Sequence, residues 1–209
     1  MSRTQSSMVH LGTLAPPFRL LNVVTGETVT RDDLCNGSYT AKSEIGSTAK
    51  RGLLIMFVCV HCPYVKHVEQ ELARIGHDYF GDAGEGPIAM AAIQSNDIEQ
   101  YPEDGPEAMR EQATRLGWRF PYLLDATQEV GRAYEAACTP DFFLFDAKMR
   151  LVYRGQLDDS RPRRGDFGND EPVTGNDLHA AMDALIAGTL PATEQRSSIG
   201  CNIKWRDRS

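Results

Sequence analysis

Long apolar runs are missing from this chain. No segment approaches the ~18 apolar residues that a membrane span needs. The opening "MSRTQSSMVHLGT" carries no continuous apolar stretch after its first arginine, so neither a membrane anchor nor an export signal is expected. Dense positive charge is lacking too. Lys and Arg number 22 against 29 Asp and Glu, a net charge of −7, which argues against a nucleic-acid or anionic-membrane surface. The one arginine-rich run, "SRPRRGD" at 160–166, is mixed with aspartate and glycine and reads as a solvated loop. Cysteine is scarce, five in 209 residues, an odd count unlike a secreted disulfide scaffold. A reducing, cytoplasmic compartment is expected, where a close cysteine pair is more often catalytic or metal-binding than structural. Internal repeats and clean linkers are also absent.

What is present suits one medium domain over 1–209, long enough to bury a core without disulfide or metal staples. Residues 1–10 read as a flexible amino terminus. "LGTLAPPFRLLNVVTGETVTRDDL" from Leu11 holds short extended pieces around a "TGE" turn, an amino-terminal hairpin. Residues 36–50 are polar and aperiodic, an inserted loop. "RGLLIMFVCV" is a strand buried on both faces. After Pro63, Val65, Val68, Leu72 and Ile75 recur at helical spacing. "PIAMAAIQSND" at 87–97 is a second buried strand, and 102–117 a helix with acidic residues early and a closing glycine. "FPYLLD" is a short strand, followed by a helix capped by Thr127. A hairpin turns near Asp146–Lys148, and a last helix is capped by Asn176 or Asp177. A tail covers 189–209. Alternating strands and helices predict an α/β fold, a central sheet with helices on both faces.

Cys59 and Cys62, in "FVCVHCPYV", fall where a strand carboxyl end meets a helix amino end, the place where reactive groups gather in such sheets. A helix starting near Val60 puts Cys59 at its cap and Cys62 in its first turn. Unpaired N–H groups and the partial positive charge there favour a thiolate, which is the reactive form of cysteine. Pro63 is tolerated at such a start, and His61 offers an imidazolium that would depress the Cys59 pKa. Two inert core cysteines or a zinc site are the alternatives. Zinc needs about four ligands, and the remaining candidates Cys138 and Cys201 stand alone, so a redox dithiol is favoured. Cys35 is a bystander, and His67 and His77 are solvated.

"ACTPDFFLFD" at 137–146 sets a proline directly before an apolar strand, where it cannot donate to a ladder. Together with "GTLAPPFRL", "FVCVHCPYVKHV", "SNDIEQYPEDGPE", "YRGQLDD" and "IGCNIKW", it resembles the thioredoxin-like branch of the alkyl hydroperoxide reductase/thiol-specific antioxidant, or redoxin, superfamily. The resemblance implies a thioredoxin-like fold with a mixed sheet. It makes Cys59 the exposed attacking thiol and Cys62 the resolving one, with Pro140 a cis-proline and Thr139 presenting backbone to a substrate strand. His61 and Pro63 would tune the site. Cys138 would lie beside the dithiol, and Cys201 could pair with it. The Val60–His61 centre of the motif resembles the more oxidising members.

Peroxiredoxins carry Pro-x-x-x-Thr-x-x-Cys. Counting back from Cys59 gives Met56 and Gly52, and from Cys62 gives Cys59 and Ile55, so neither frame matches. Thiol–disulfide exchange is therefore expected, with an atypical peroxidase second and a zinc- or partner-binding module third. No cofactor or metal is required. The expected partner is a protein or small-molecule disulfide or dithiol, not nucleic acid or membrane, and the superfamily leaves a homodimer open.

Overall fold

The computed structural model describes residues 3–36, 49–163 and 167–207. The centre of its main sheet is the parallel pair β4 (Gly52–Phe57) and β5 (Ile88–Gln94), in which every residue is buried. That is why both read as unbroken apolar runs rather than alternating ones. On β4, Leu54 and Met56 enter one core cluster while Leu53, Ile55 and Phe57 enter the other, the two-residue period of a strand. Helices α2 (Pro63–Ile75), α3 (Pro106–Leu116) and α5 (Asn176–Ile186) cover the first side. Helices α1 (Arg31–Asn36) and α4 (Glu129–Ala133) cover the second. Each fully buried Leu or Ile in these layers contributes about 1.5–3 kcal/mol.

Strand β6 (Tyr122–Leu124) continues the parallel core beside β5. Strand β8 (Asp141–Asp146) runs antiparallel to β4 and forms a hairpin with β9 (Leu151–Gly155). The expected amino-terminal hairpin is β2 (Arg19–Asn22) and β3 (Thr28–Thr30), attached through β2 to β6. The mixed α/β sheet with helices on both faces is as the sequence implied.

Helix starts differ from expectation for local reasons. Asp104 belongs to a separate 3₁₀ turn, Pro102–Asp104, because extended Gly105 interrupts the backbone before α3. Gln128, not Thr127, precedes α4, its side-chain amide committed to the carbonyls of Ser95 and Lys204. Gly175 precedes α5 in place of Asn176 or Asp177. The Asp158 carboxylate accepts the Thr174 and Gly175 N–H groups there, and Asp177 is drawn away to Gln156.

The termini are ordered differently from the flexible start and plain tail expected. Strand β1 (Arg3–Gln5) pairs with β10 (Ile199–Asn202), and β10 pairs with β7 (Cys138–Thr139), giving a second sheet of order β1–β10–β7. The expected polar loop at 36–50 lies, from 37 to 48, outside the described residues.

Glycine at position 200 is what lets β10 approach, since a Cβ there would collide with the Thr139 carbonyl oxygen. Gly200→Ala is predicted to detach β10 from β7 while leaving the main sheet intact. Hydrogen exchange would then show lost protection at Cys201–Ile203 and unchanged protection in β4 and β5; unchanged protection at both would refute this.

Candidate active site

Strand β4 ends at Phe57 and α2 begins at Pro63, so Cys59 and Cys62 do fall at the strand-to-helix junction. The helix starts later than the spacing implied. Cys62 is its cap residue, with extended backbone (φ −67°, ψ 122°), and Cys59 sits three residues upstream in the loop. Pro63 explains the shift. Its ring suits the first helical position and pushes the preceding residue out of the α region.

Both thiols are free, and both are covered. Cys59 is 1% exposed and Cys62 0%, which corrects the expected exposed attacking thiol. The two converge on Thr139: Cys59 Sγ lies 3.4 Å from its hydroxyl, and Cys62 Sγ lies 3.1 Å from its carbonyl oxygen. The Thr139–Pro140 peptide bond is cis. Of the two sulfurs, Cys62 has the lower pKa. Burial pushes it up, but hydrogen bonds from Cys201, Cys59 and Thr139, with the Val65 amide, bring it well below the ordinary thiol value. Cys59 is raised by its hydrogen bond to Cys62, by burial and by the Asp104 charge. This reverses the expectation that His61 would depress Cys59.

The reason lies in Asp104, expected only as one of the early acidic residues of the 102–117 helix. The 3₁₀ turn delivers it, 0% exposed, beneath the cysteine loop. Its Oδ1 accepts the Val60 and His61 N–H groups at 2.9 and 3.0 Å. Its Oδ2 accepts Asn96 Nδ2 at 2.7 Å and lies 2.5 Å from His61 Nδ1. That last contact is an ion pair when the ring is protonated, and neither ring nitrogen has a hydrogen-bond partner among the described residues. The His61 ring also stacks on Tyr101, centroids 5.8 Å apart. Asp104 raises the His61 pKa. Despite its burial, the Asp104 carboxyl is lowered by His61, Asn96 and the His61 amide. A charge on the His61 ring is thus balanced by Asp104 rather than left to act on Cys59.

Directly after Pro140, Asp141 is fully buried; Oδ1 has no hydrogen-bond partner among the described residues, and Oδ2 accepts the Ala137 N–H at 3.2 Å. Burial pushes its pKa up to about 8, so this carboxyl stays largely protonated at neutral pH. Cys138 is raised by burial and by Asp141. In the β7–β10 register Cys201 stands opposite Thr139 and Asn202 opposite Cys138. Neighbouring side chains on a strand point to opposite faces. Cys201 therefore shares the Thr139 and dithiol face while Cys138 points away, which argues against the pairing of the two that the resemblance left open. Cys35 is remote, half-buried against Met149 Sδ at 3.7 Å.

Cys59 Sγ, a His61 nitrogen and an Asp104 oxygen lie within 4.8 Å of one another, a three-donor set for a metal ion. Both Asp104 oxygens already accept N–H groups, and three donors fall short of the four that close a structural zinc site.

Asp104→Asn is predicted to lower stability by about 2–4 kcal/mol, because it removes one charge of a buried pair and sets an amide against Asn96. The raised His61 pKa stabilises below its unfolded value, with loss as pH rises through the folded one. The lowered Asp104 pKa stabilises above its unfolded value, with loss as pH falls. The stability gap to wild type should therefore be widest between about pH 4 and about pH 6.5, and the His61 pKa read by NMR should drop. An unchanged His61 titration would contradict the pairing. Asp141 carries the opposite sign for a carboxylate: its folded pKa is above the unfolded one, so stability falls as pH rises from about 4 to about 8. Denaturation of Asp141→Asn should lack that slope and show higher stability at pH 8.

The redoxin family model matches residues 12–173. A solved structure of an uncharacterized conserved protein from Geobacillus kaustophilus is 47% identical, covering 100% of this chain and 99% of its own, with a TM-score of 0.86. A hypothetical protein from Sinorhizobium meliloti 1021 is 41% identical, with coverage of 97% and 98% and a TM-score of 0.83. The thioredoxin domain of a thiol-disulfide oxidoreductase from Bacteroides vulgatus is 16% identical over 70% of this chain and 88% of its own, TM-score 0.50, a likeness of fold. None of the curated proteins matches. With the family model spanning most of the chain and the dithiol junction inside it, this chain belongs to the redoxin family, on a thioredoxin-like fold.

Proposed function

We propose that the protein is a thiol–disulfide oxidoreductase working through Cys59 and Cys62 on protein or small-molecule disulfides. The observation that carries this reading is the convergence of both sulfurs on Thr139 beside Pro140. Two thiols that share a proton and a strand edge can form a disulfide in place and lie beside backbone able to hold an extended substrate. Oxidoreductase chemistry is also the activity named for the Bacteroides vulgatus neighbour.

In this reading the pair reacts with one proton between the sulfurs, favoured on Cys59 because its pKa is the raised one and that of Cys62 the lowered one. In the forward step that proton crosses to Cys62, and the Cys59 thiolate attacks one sulfur of the substrate disulfide. The Cys59–sulfur bond forms as the substrate S–S bond breaks, and the other substrate sulfur leaves as a thiolate that takes a proton from solvent. Cys62 then attacks Cys59 Sγ, breaking the mixed disulfide and losing its proton to the attacked substrate sulfur, which leaves. The substrate gains two electrons and two protons, and the protein is left with a Cys59–Cys62 disulfide. Cys59 takes the attacking role because the Val60–His61 loop beside it is only half-buried, whereas Cys62 faces β10.

A zinc-binding module is the second reading, favoured by the Cys59–His61–Asp104 donor set alone. In an insulin-type disulfide reduction assay, Cys59→Ser is expected to abolish turnover and Cys62→Ser to accumulate a mixed disulfide on Cys59. Zinc is assayed on the same samples. Full activity in Cys59→Ser, or stoichiometric zinc with thiols that never oxidise, would sink the exchange reading. An adduct trapped on Cys62 in Cys59→Ser would keep exchange but reverse the two roles.

A further inference from the structure

The tail strand occupies the edge where an exchanged substrate would lie. Strand β10 runs antiparallel to β7, with Cys201 opposite Thr139, and the ladder continues as Ile203 N–H donates to Ala137 O at 3.2 Å. It is tied down on both sides. Ser198 Oγ donates to Pro140 O at 2.7 Å, and Lys204 N–H donates to Asn96 Oδ1 at 2.9 Å. Asn96 is the residue that also holds Asp104. Cys201 is 3% exposed, belongs to the core cluster that contains Cys59 and Cys62, and is in side-chain hydrogen-bond contact with Cys62. A cysteine is thus presented on a strand, at the Thr139 position, against the resolving sulfur.

We propose that Cys201 is a third redox residue, an intrachain partner that takes the disulfide from the dithiol by bonding to Cys62. This rests on the reading of Cys59 and Cys62 as a redox dithiol. Starting from oxidised protein, the Cys201 thiolate attacks Cys62 Sγ. The Cys62–Cys201 bond forms as the Cys59–Cys62 bond breaks, and the electron pair goes to Cys59. Cys59 leaves as a thiolate and takes up the proton that Cys201 lost. No electrons enter or leave the protein; the disulfide only moves. Two things change. Cys59 is freed as a thiol, and β10 becomes covalently fixed over the Thr139–Pro140 edge, closing it to any other strand. Reduction of the Cys62–Cys201 bond by an external thiol would release the strand again. Cys138 cannot substitute, because it lies on the other face of β7.

The test uses the full chain and glutathione disulfide as oxidant. Trypsin places Cys59 and Cys62 in peptide 52–66, Cys138 in 133–148 and Cys201 in 197–204. In Cys59→Ser, Cys62 is the only thiol left in its peptide. Oxidation is expected to link 52–66 to 197–204 in most molecules, with the glutathione adduct on Cys62 a passing intermediate. A lasting glutathione adduct on 52–66 with 197–204 unlinked, or a link to 133–148, would overturn the proposal. Cys201→Ser tests the parent reading separately. An internal disulfide within its peptide 52–66 supports the dithiol, and a peptide that stays fully reduced removes that reading while leaving the Cys59→Ser result to stand or fall by itself.

Discussion

The site is organised around one strand edge, Cys138–Thr139, that stops because Pro140 has no N–H to continue a ladder. Three things meet on Thr139: Cys59 at its hydroxyl, Cys62 at its carbonyl and β10 across its backbone. The edge can hold them because β8, beginning at Asp141, is locked in register with β4, Phe57 opposite Asp141. The same β4 carries the chain into the cysteine loop. Position of the thiols relative to Thr139 is therefore fixed by the pairing of the buried strand β4 with β8 rather than by the loop itself.

Charge at this edge is set by burial and by one carboxylate. Asp104 gathers the loop amides and the His61 ring, so the loop is held by an acceptor that water would otherwise satisfy. That arrangement leaves a negative group near Cys59 and places the thiolate preference on Cys62, where the helix start and neighbouring donors favour it. The two effects act in the same direction. In the proposed exchange, attack by Cys59 would first have to pass its proton to Cys62. Asp141, protonated and buried behind Pro140, adds no charge to oppose this at neutral pH.

Much of the frame was legible in the sequence because it is written locally. The unbroken apolar runs of β4 and β5, the helical spacing of Val65, Val68, Leu72 and Ile75, and the position of Cys59 and Cys62 between strand and helix all hold. What was not legible depends on distant partners. "PEDGPE" looks like a helix start, and only the extended backbone at Gly105 turns Asp104 inward. The cap of α5 is supplied by Asp158 from another segment, so the neighbouring Asn176 misleads. The start of α2 at Pro63 was readable in principle, since a proline disfavours α conformation in the residue before it. "IGCN" in the tail has neither length nor alternation to mark a strand, and its partners are Arg3–Gln5 and Cys138–Thr139, at the far end of the chain and sixty residues upstream.

A covered dithiol raises the question of what uncovers it. Peeling the whole main sheet is out of the question, since its centre is fully buried. The three-stranded sheet is a different matter. Strand β7 contributes two residues, β1 three and β10 four, and isolated short ladders of this kind are marginal without packing. Beside the buried side chains of Cys201 and Ile203, the strand is held by two polar side chains, the Ser198 hydroxyl on the Pro140 carbonyl and Asn96 Oδ1 on the Lys204 N–H. Each such hydrogen bond contributes only about 0.5–1.5 kcal/mol net, because water replaces it on release. A substrate strand that paired with Thr139 in turn would recover the ladder bonds that β10 gives up. For the proposed oxidoreductase, opening and substrate binding would then be an exchange of one strand for another at the same edge, with the dithiol exposed only while that exchange is under way.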